Sequence, residues 1–265
     1  MATKKIKQLE KILIAVGIAL LAVVIICIVV FSRADKVSAP EAIPVLTTTT
    51  TTTTTTTVTT TTTVTYDYTM HIDMEKVRQH HEKNPDVVGW VYVNDTPIDY
   101  PIVQKDDNAY YIDRDWEGNH SSAGSIFEDF RGKINETENT LLYGHNMGNG
   151  SMFHSVKSFK EEGWGRQHIY FEVATLEKRY LYRIVASSVL NGEDGAAFDY
   201  WNRITLNQEE FQKYIEEIRS TALVWYAPDD DPPTYGDKMI ALQTCNSGAD
   251  DGIRCILFGQ CLGEY

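Results

Sequence analysis

The sequence predicts a mainly β domain closed into an eight-stranded barrel, with a helix at its start and a longer helix inserted late. Three observations carry this. Eight short runs rich in Val, Ile, Leu, Tyr and Phe recur at 87–93, 98–103, 125–129, 140–144, 168–174, 180–190, 238–245 and 254–262, and such side chains suit a pleated, half-buried surface. Clusters of Gly, Asn, Asp and Pro separate the runs. Near 208–223, in contrast, apolar residues repeat at helical spacing. Many short strands in one domain leave fewest exposed edges when the sheet closes on itself.

What precedes the domain is an appendage. Residues 1–11 hold Lys4, Lys5, Lys7 and Lys11 against Glu10, and Ile12 to Phe31 form twenty residues without a charge. At 1.5 Å rise per residue this run spans a hydrocarbon core as a helix. The basic flank assigns 1–11 to the cytoplasm and everything after Phe31 to the outside. A cleaved leader is the competing reading, but its apolar region is normally about 7–15 residues. Residues 32–65 then form a linker in which only Val58 and Val64 interrupt Thr between Thr47 and Thr65. Without an apolar face such a tract stays solvated, open to glycosylation, and it reaches on the order of 100 Å when extended. The expected organisation is a cytoplasmic tip, a membrane helix at 12–31, the Thr-rich tether, and one globular domain at 66–265.

Charge narrows the partners. The chain of 265 residues carries a net charge of −13, and because its first 36 residues are net basic, the remainder is more acidic still. Such a surface repels phosphate backbones, so no nucleic-acid partner is expected, and the single N-terminal helix is the expected route to the membrane.

Within the domain, a short helix is expected around 73–83, ended by Asn84 and Pro85. The late helix is announced by Asn207 and Glu210, the pattern of a capping box, and Phe211, Tyr214, Ile215, Ile218 and Ala222 fall on one face. The prolines of "APDDDPPTYG" end it. Asp229–Asp231 reads as a solvated loop, since the alternating oxygen ligands and bidentate Glu of a calcium loop are missing.

The chemistry-bearing residues gather at strand ends. Cys245 closes the apolar run "KMIALQTC" and opens into "NSGADDG", and Arg254 begins the return strand. Alternation gives Arg254, Ile256 and Phe258 one face and Cys255, Leu257 and Cys261 the other. Cys255 and Cys261 lie roughly 20 Å apart along one strand, too far to bridge, and Cys27 falls in the membrane run. Cys245 therefore reads either as a small apolar filler or as a nucleophile. A nucleophilic thiol needs a base, since at a pKa of about 8.5 little of it is ionised at neutral pH. Of seven histidines, His71, His80 and His81 are expected to face water from the opening helix, and His120, His154 and His168 to sit in loops, turns or strand starts. His145 is delivered off the end of "TLLYG" into a Gly/Asn loop, where barrel sites collect. A metal held by His145 and His154 lacks further ligands at suitable spacing, and neither a metal nor a cofactor is expected.

Taken together, "LLYGHNM", "LQTC" and an Arg on the following strand resemble the sortase family, the membrane-anchored cysteine transpeptidases of Gram-positive surfaces. "NPDVVGWVYVNDTPIDYPIVQ", "DNAYYI", "GSIFEDFR" and the helix inserted before the cysteine strand are similar to its class B branch. The resemblance implies a sortase-type β-barrel and a catalytic set of His145, Cys245 and Arg254. Gln243, Thr244 and Asn146 become candidates for contact with substrate. It further implies cleavage of a C-terminal sorting signal on exported proteins through a thioester on Cys245, and transfer of the acyl group to an amine of a peptidoglycan precursor or a pilin. Gln243 departs from the Ser common in class B at that position, and the Thr tract is unusually long. Two other readings compete: a Cys-His cell-wall peptidase or transpeptidase of another family, and a non-catalytic adhesin on a Thr stalk.

Overall fold

The computed structural model describes residues 68–247 and 252–265. The expected membrane run and Thr-rich linker lie outside these residues; among the described ones, no helix is long and apolar enough to cross a membrane. Contacts divide the chain after Tyr68, and the unit described below is Thr69–Tyr265.

Helix α1 (Met74–Lys83) begins where Asp73 accepts a hydrogen bond from the backbone of Glu75, and ends at Asn84. Just before it, the backbone amides of His71 and Ile72 donate to the carboxylate of Glu172 at 2.8–3.0 Å, and the His71 ring also bonds that carboxylate. Glu172 is fully buried, so these donors offset its loss of water and tie the start of the domain to the sheet. His80 and His81, expected in water, instead sit at the seam between helix and sheet. Their Nδ1 atoms bond the carbonyls of Lys76 and Val87, and the His80 ring packs on Trp90 and Trp116.

The strands are β1 (Val87–Val93), β2 (Asp99–Val103), β3 (Ile126–Glu128), β4 (Asn139–Tyr143), β5 (Tyr170–Thr175), β6 (Arg179–Asn191), β7 (Ala222–Trp225), β8 (Met239–Cys245) and β9 (Ile253–Glu264), with a short helix α2 (Glu162–Gln167) before β5 and α3 (Gln208–Thr221) before β7. Eight of them close a ring in the order β5-β1-β2-β3-β4-β8-β9-β6, sealed by the β5–β6 pairing, and β7 extends β6 as a flange. Pairings β2–β3 and β4–β8 are parallel and the rest antiparallel. The barrel expected from the eight apolar runs is the one observed.

Alternation sorts the side chains into two apolar layers. Val91, Ile102, Ile126, Leu142, Phe171, Tyr182, Leu242 and Leu257, one from each ring strand, fill the barrel interior. On the outer face, Ala186, Ala241, Ile256 and Phe258 lie under Phe211, Tyr214, Ile215 and Ile218 of α3. Asn207 caps α3 by the expected box with Glu210. The helix stops at Thr221, two residues short of expectation. Ala222, expected on its apolar face, turns to extended backbone with ψ 131°, and Ala222–Trp225 pairs with β6. The β-branched and aromatic residues of "ALVW" gain ladder partners that a further half-turn of helix would not supply.

Candidate active site

Strands β4 and β8 run side by side in the same direction, pairing from Asn139↔Met239 to Tyr143↔Gln243, and Gly144 N–H donates to the Gln243 carbonyl at 3.1 Å. Two residues beyond that last pair come His145 and Cys245. Gly144 faces the barrel interior, where an added Cβ would collide with Ile126 and lie 2.8 Å from Phe153. Its lack of a side chain lets the strand end stay close-packed while His145 turns to the outer face. On the other edge of β8, Cys245 pairs directly with Arg254 across the antiparallel β8–β9 ladder. One thiol thus has the imidazole strand on one side and the guanidinium strand on the other.

Each side chain has a local reason for its setting. His145 Nε2 lies 2.8 Å from the carbonyl oxygen of Ile112. A carbonyl only accepts, so Nε2 carries the proton and the neutral ring keeps its basic lone pair on Nδ1. Gly192 leaves room for Arg254, since a Cβ there would fall 2.7 Å from Arg254 Cγ and 3.2 Å from Tyr200 Oη. Tyr200 donates to Gln243 Oε1 at 2.7 Å. Its phenol is raised foremost by burial; Arg254 lowers it and Cys245 raises it, which puts the three groups in one electrostatic neighbourhood.

Below this group is a buried ionic support. Asp129 is fully buried and receives Arg131 Nε at 2.8 Å, Asn108 Nδ2 at 2.9 Å and Tyr143 Oη at 2.9 Å. Burial works to raise its carboxyl, but these hydrogen bonds outweigh it and hold it below the usual range. Arg131 also donates to the Trp201 carbonyl at 2.7 Å and to Asn202 Oδ1 at 2.9 Å. The network therefore fastens the segment carrying Tyr200 to β3 and to Tyr143, two residues before His145.

Of the three candidates for substrate contact, Gln243 shares the outer face with Cys245. Thr244 turns to the interior and is only 2% exposed, which takes its side chain away from that face. Asn146 spends both ends of its amide within the protein: Nδ2 donates to the Cys245 carbonyl at 3.0 Å and Oδ1 faces His154 Nδ1 at 2.8 Å. Cys245, Cys255 and Cys261 are free thiols. Burial pushes Cys255 up, against hydrogen bonding from Lys160, and pushes Cys261 up to about 11. The Ile112 carbonyl, Tyr200, Asp129 and Arg131 were not singled out from sequence. They act through a backbone atom or from distant loops, and no local spacing marks them.

The site can be compared with known proteins. The family model of the sortase domain matches residues 91–261. Sortase B of Listeria monocytogenes is 30% identical over 178 residues, spanning 66% of this chain and 69% of that protein. Among solved structures, Clostridium perfringens sortase B is similar with a TM-score of 0.63 and 28% identity, over 69% of this chain and 98% of that one. A Bacillus anthracis protein described as similar to sortase B has a TM-score of 0.61 and 31% identity, over 70% of this chain and 82% of the other.

Proposed function

The chain belongs to the sortase family, in its class B branch of cysteine transpeptidases, and from that we propose that Cys245, His145 and Arg254 are its catalytic set, acting on a C-terminal sorting signal of exported proteins. The observation that supports this reading is the register that brings the ends of β4 and β8 beside the start of β9, with the Cys245↔Arg254 pair as its last rung.

In the first half-reaction the Cys245 thiol passes its proton to His145, the resulting thiolate attacks the scissile carbonyl, and the C–N bond of the tetrahedral adduct breaks as the charged His145 ring gives that proton to the leaving amine. The product is a thioester, which retains the acyl group's reactivity without ATP. In the second, an amine attacks the thioester, His145 removes its proton, and the thiolate leaves. With Nε2–H committed to Ile112, Nδ1 is the atom through which protons pass. Arg254 keeps its charge at any working pH and presents a planar fork to the developing oxyanion and the substrate backbone. The acceptor amine belongs to a peptidoglycan precursor or a pilin. Residues 12–31 hold the enzyme in the cell membrane with the N-terminus cytoplasmic and the catalytic domain outside.

Incubation of the protein with a panel of sorting peptides, with and without small amine acceptors, tests this reading. One peptide should be cut at a single bond, with the amine appearing on the new C-terminus. Failure to cleave any peptide, or cleavage that survives Cys245→Ala, would remove it.

A further inference from the structure

We propose that Asn146 is a positioning residue that ties the His145 strand end to the Cys245 strand end, and that His154 serves the reaction by holding the Asn146 amide. The inference rests on the assignment of Cys245 and His145 above.

Past Gly144 the β4–β8 ladder has no further pair among the described residues, because the β4 side turns away: Phe153 N–H donates to the His145 carbonyl and Asn146 bridges to Met152. On its other edge β8 stays paired one residue past the thiol, where Asn246 N–H donates to the Ile253 carbonyl at 3.0 Å. The end of β8 is thus fixed toward Arg254. Toward His145, its fastening passes to the Asn146 side chain, through the 3.0 Å bond to the Cys245 carbonyl. Asn146 follows His145 directly, so this bond sets how far the imidazole stands from the sulfur.

The orientation of the amide follows from chemistry. The Cys245 carbonyl only accepts, so Nδ2 faces it. Oδ1 then faces His154, and His154 must present Nδ1–H at 2.8 Å. Both polar ends of Asn146 are engaged, so it has a task that does not require substrate. The expected cost of losing it lies in the chemical step, where small misplacements of reacting groups are expensive.

The test measures kcat and KM of the full chain on a cleavable sorting peptide for Asn146→Ala, His154→Ala, His154→Asn and the double Ala variant, with unfolding midpoints alongside. For Asn146→Ala we expect kcat to fall about 10–100-fold, with KM within about 3-fold. For His154→Ala the loss is about 3–10-fold, and the double variant is within about 2-fold of Asn146→Ala alone, because His154 acts only through Asn146. Asn carries its amide nitrogen where His carries Nδ1, so His154→Asn should recover most of the rate lost in His154→Ala. A raised KM with unchanged kcat would mean that Asn146 touches substrate. Additive losses in the double variant would mean that His154 acts elsewhere, and unchanged kcat in a folded Asn146→Ala would remove the tie. Any of these would overturn the inference. Cys245→Ala run in parallel separates the two levels: residual turnover there defeats the assignment of the nucleophile itself.

Discussion

Arg254 lies directly opposite Cys245 as the last residue pair of the β8–β9 ladder. Directly paired residues on one face of an antiparallel sheet have Cβ atoms about 4.5–5.5 Å apart. A long, planar cation rooted there is placed for the role proposed above, contact with the carbonyl that the thiol would attack. Gly192 leaves space for its stem, beside the Tyr200 hydroxyl.

The role proposed for Arg254 asks for a guanidinium and not merely a positive charge. Arg254→Lys keeps the charge and loses the fork, so kcat/KM should fall about 10²–10³-fold, comparable to losing one oxyanion donor. Steady-state kinetics on the sorting peptide check it. A rate near that of the parent would reduce Arg254 to a wall of the cleft.

Two histidines flank Asn146, one as its chain neighbour and one through its amide, and they should differ sharply. His145→Ala should leave less than about 1% of the activity with an unchanged unfolding midpoint, in line with removal of a general acid–base. His154→Ala should retain a substantial fraction. If the order were reversed, the imidazole that moves the proton would be His154, and the tautomer imposed by Ile112 would have no bearing on the reaction.

The three free thiols among the described residues should react with very different speed. Cys255 is only 2% exposed and is pushed up by burial, and Cys261 is pushed up to about 11. Iodoacetamide at pH 7 should therefore modify Cys245 first, with loss of activity in proportion, as read by peptide mass mapping. Modification of Cys245 that leaves cleavage intact would remove the nucleophile assignment, and a Cys245 that ignores the reagent would favour a binding role on a Thr stalk.

Glu128 should make the domain sensitive to alkali. Its carboxyl is pushed up to about 8, chiefly by burial and then by the charge of Asp129, and its Oε1 has no hydrogen-bond partner among the described residues. Between the ordinary value of 4.5 and about 8 the folded chain keeps a proton that the unfolded chain has lost. The stability tied to this group is full below 4.5 and is lost as pH rises through about 8. Glu128→Gln keeps the shape without the charge. It should gain about 1–3 kcal/mol at pH 8 and show little difference near pH 4.5 in denaturant titrations. Equal stability at both values would show that Glu128 sits comfortably ionised.

The barrel was legible because every ring strand buries one face, which forces β-branched and aromatic residues into each of the eight runs. Strand β7 was not. It is four residues long and continues straight from α3, so "STALVW" reads equally as a last helical turn until β6 is there to pair with it. The placement of His145, Cys245 and Arg254 at strand ends was legible because each stands where an apolar run meets a polar loop. Their support was hidden for separate reasons: Ile112 contributes only a carbonyl, Tyr200 comes from a loop, and Asp129 meets Tyr143 only through the β3–β4 register. Asn146 was legible as a candidate, but its dealings with Cys245 and His154 depend on which way a strand end turns.

The most direct test is to trap the acyl-enzyme. The protein is mixed with a cleavable sorting peptide in the absence of added amine, quenched in acid within the first turnover, and digested for mass spectrometry. The peptide containing Cys245 should gain the mass of the substrate's N-terminal portion through a hydroxylamine-sensitive bond, and Cys245→Ala should carry no adduct and cut nothing. Cleavage with no adduct at any point of the time course, or an adduct on another residue, would contradict the account.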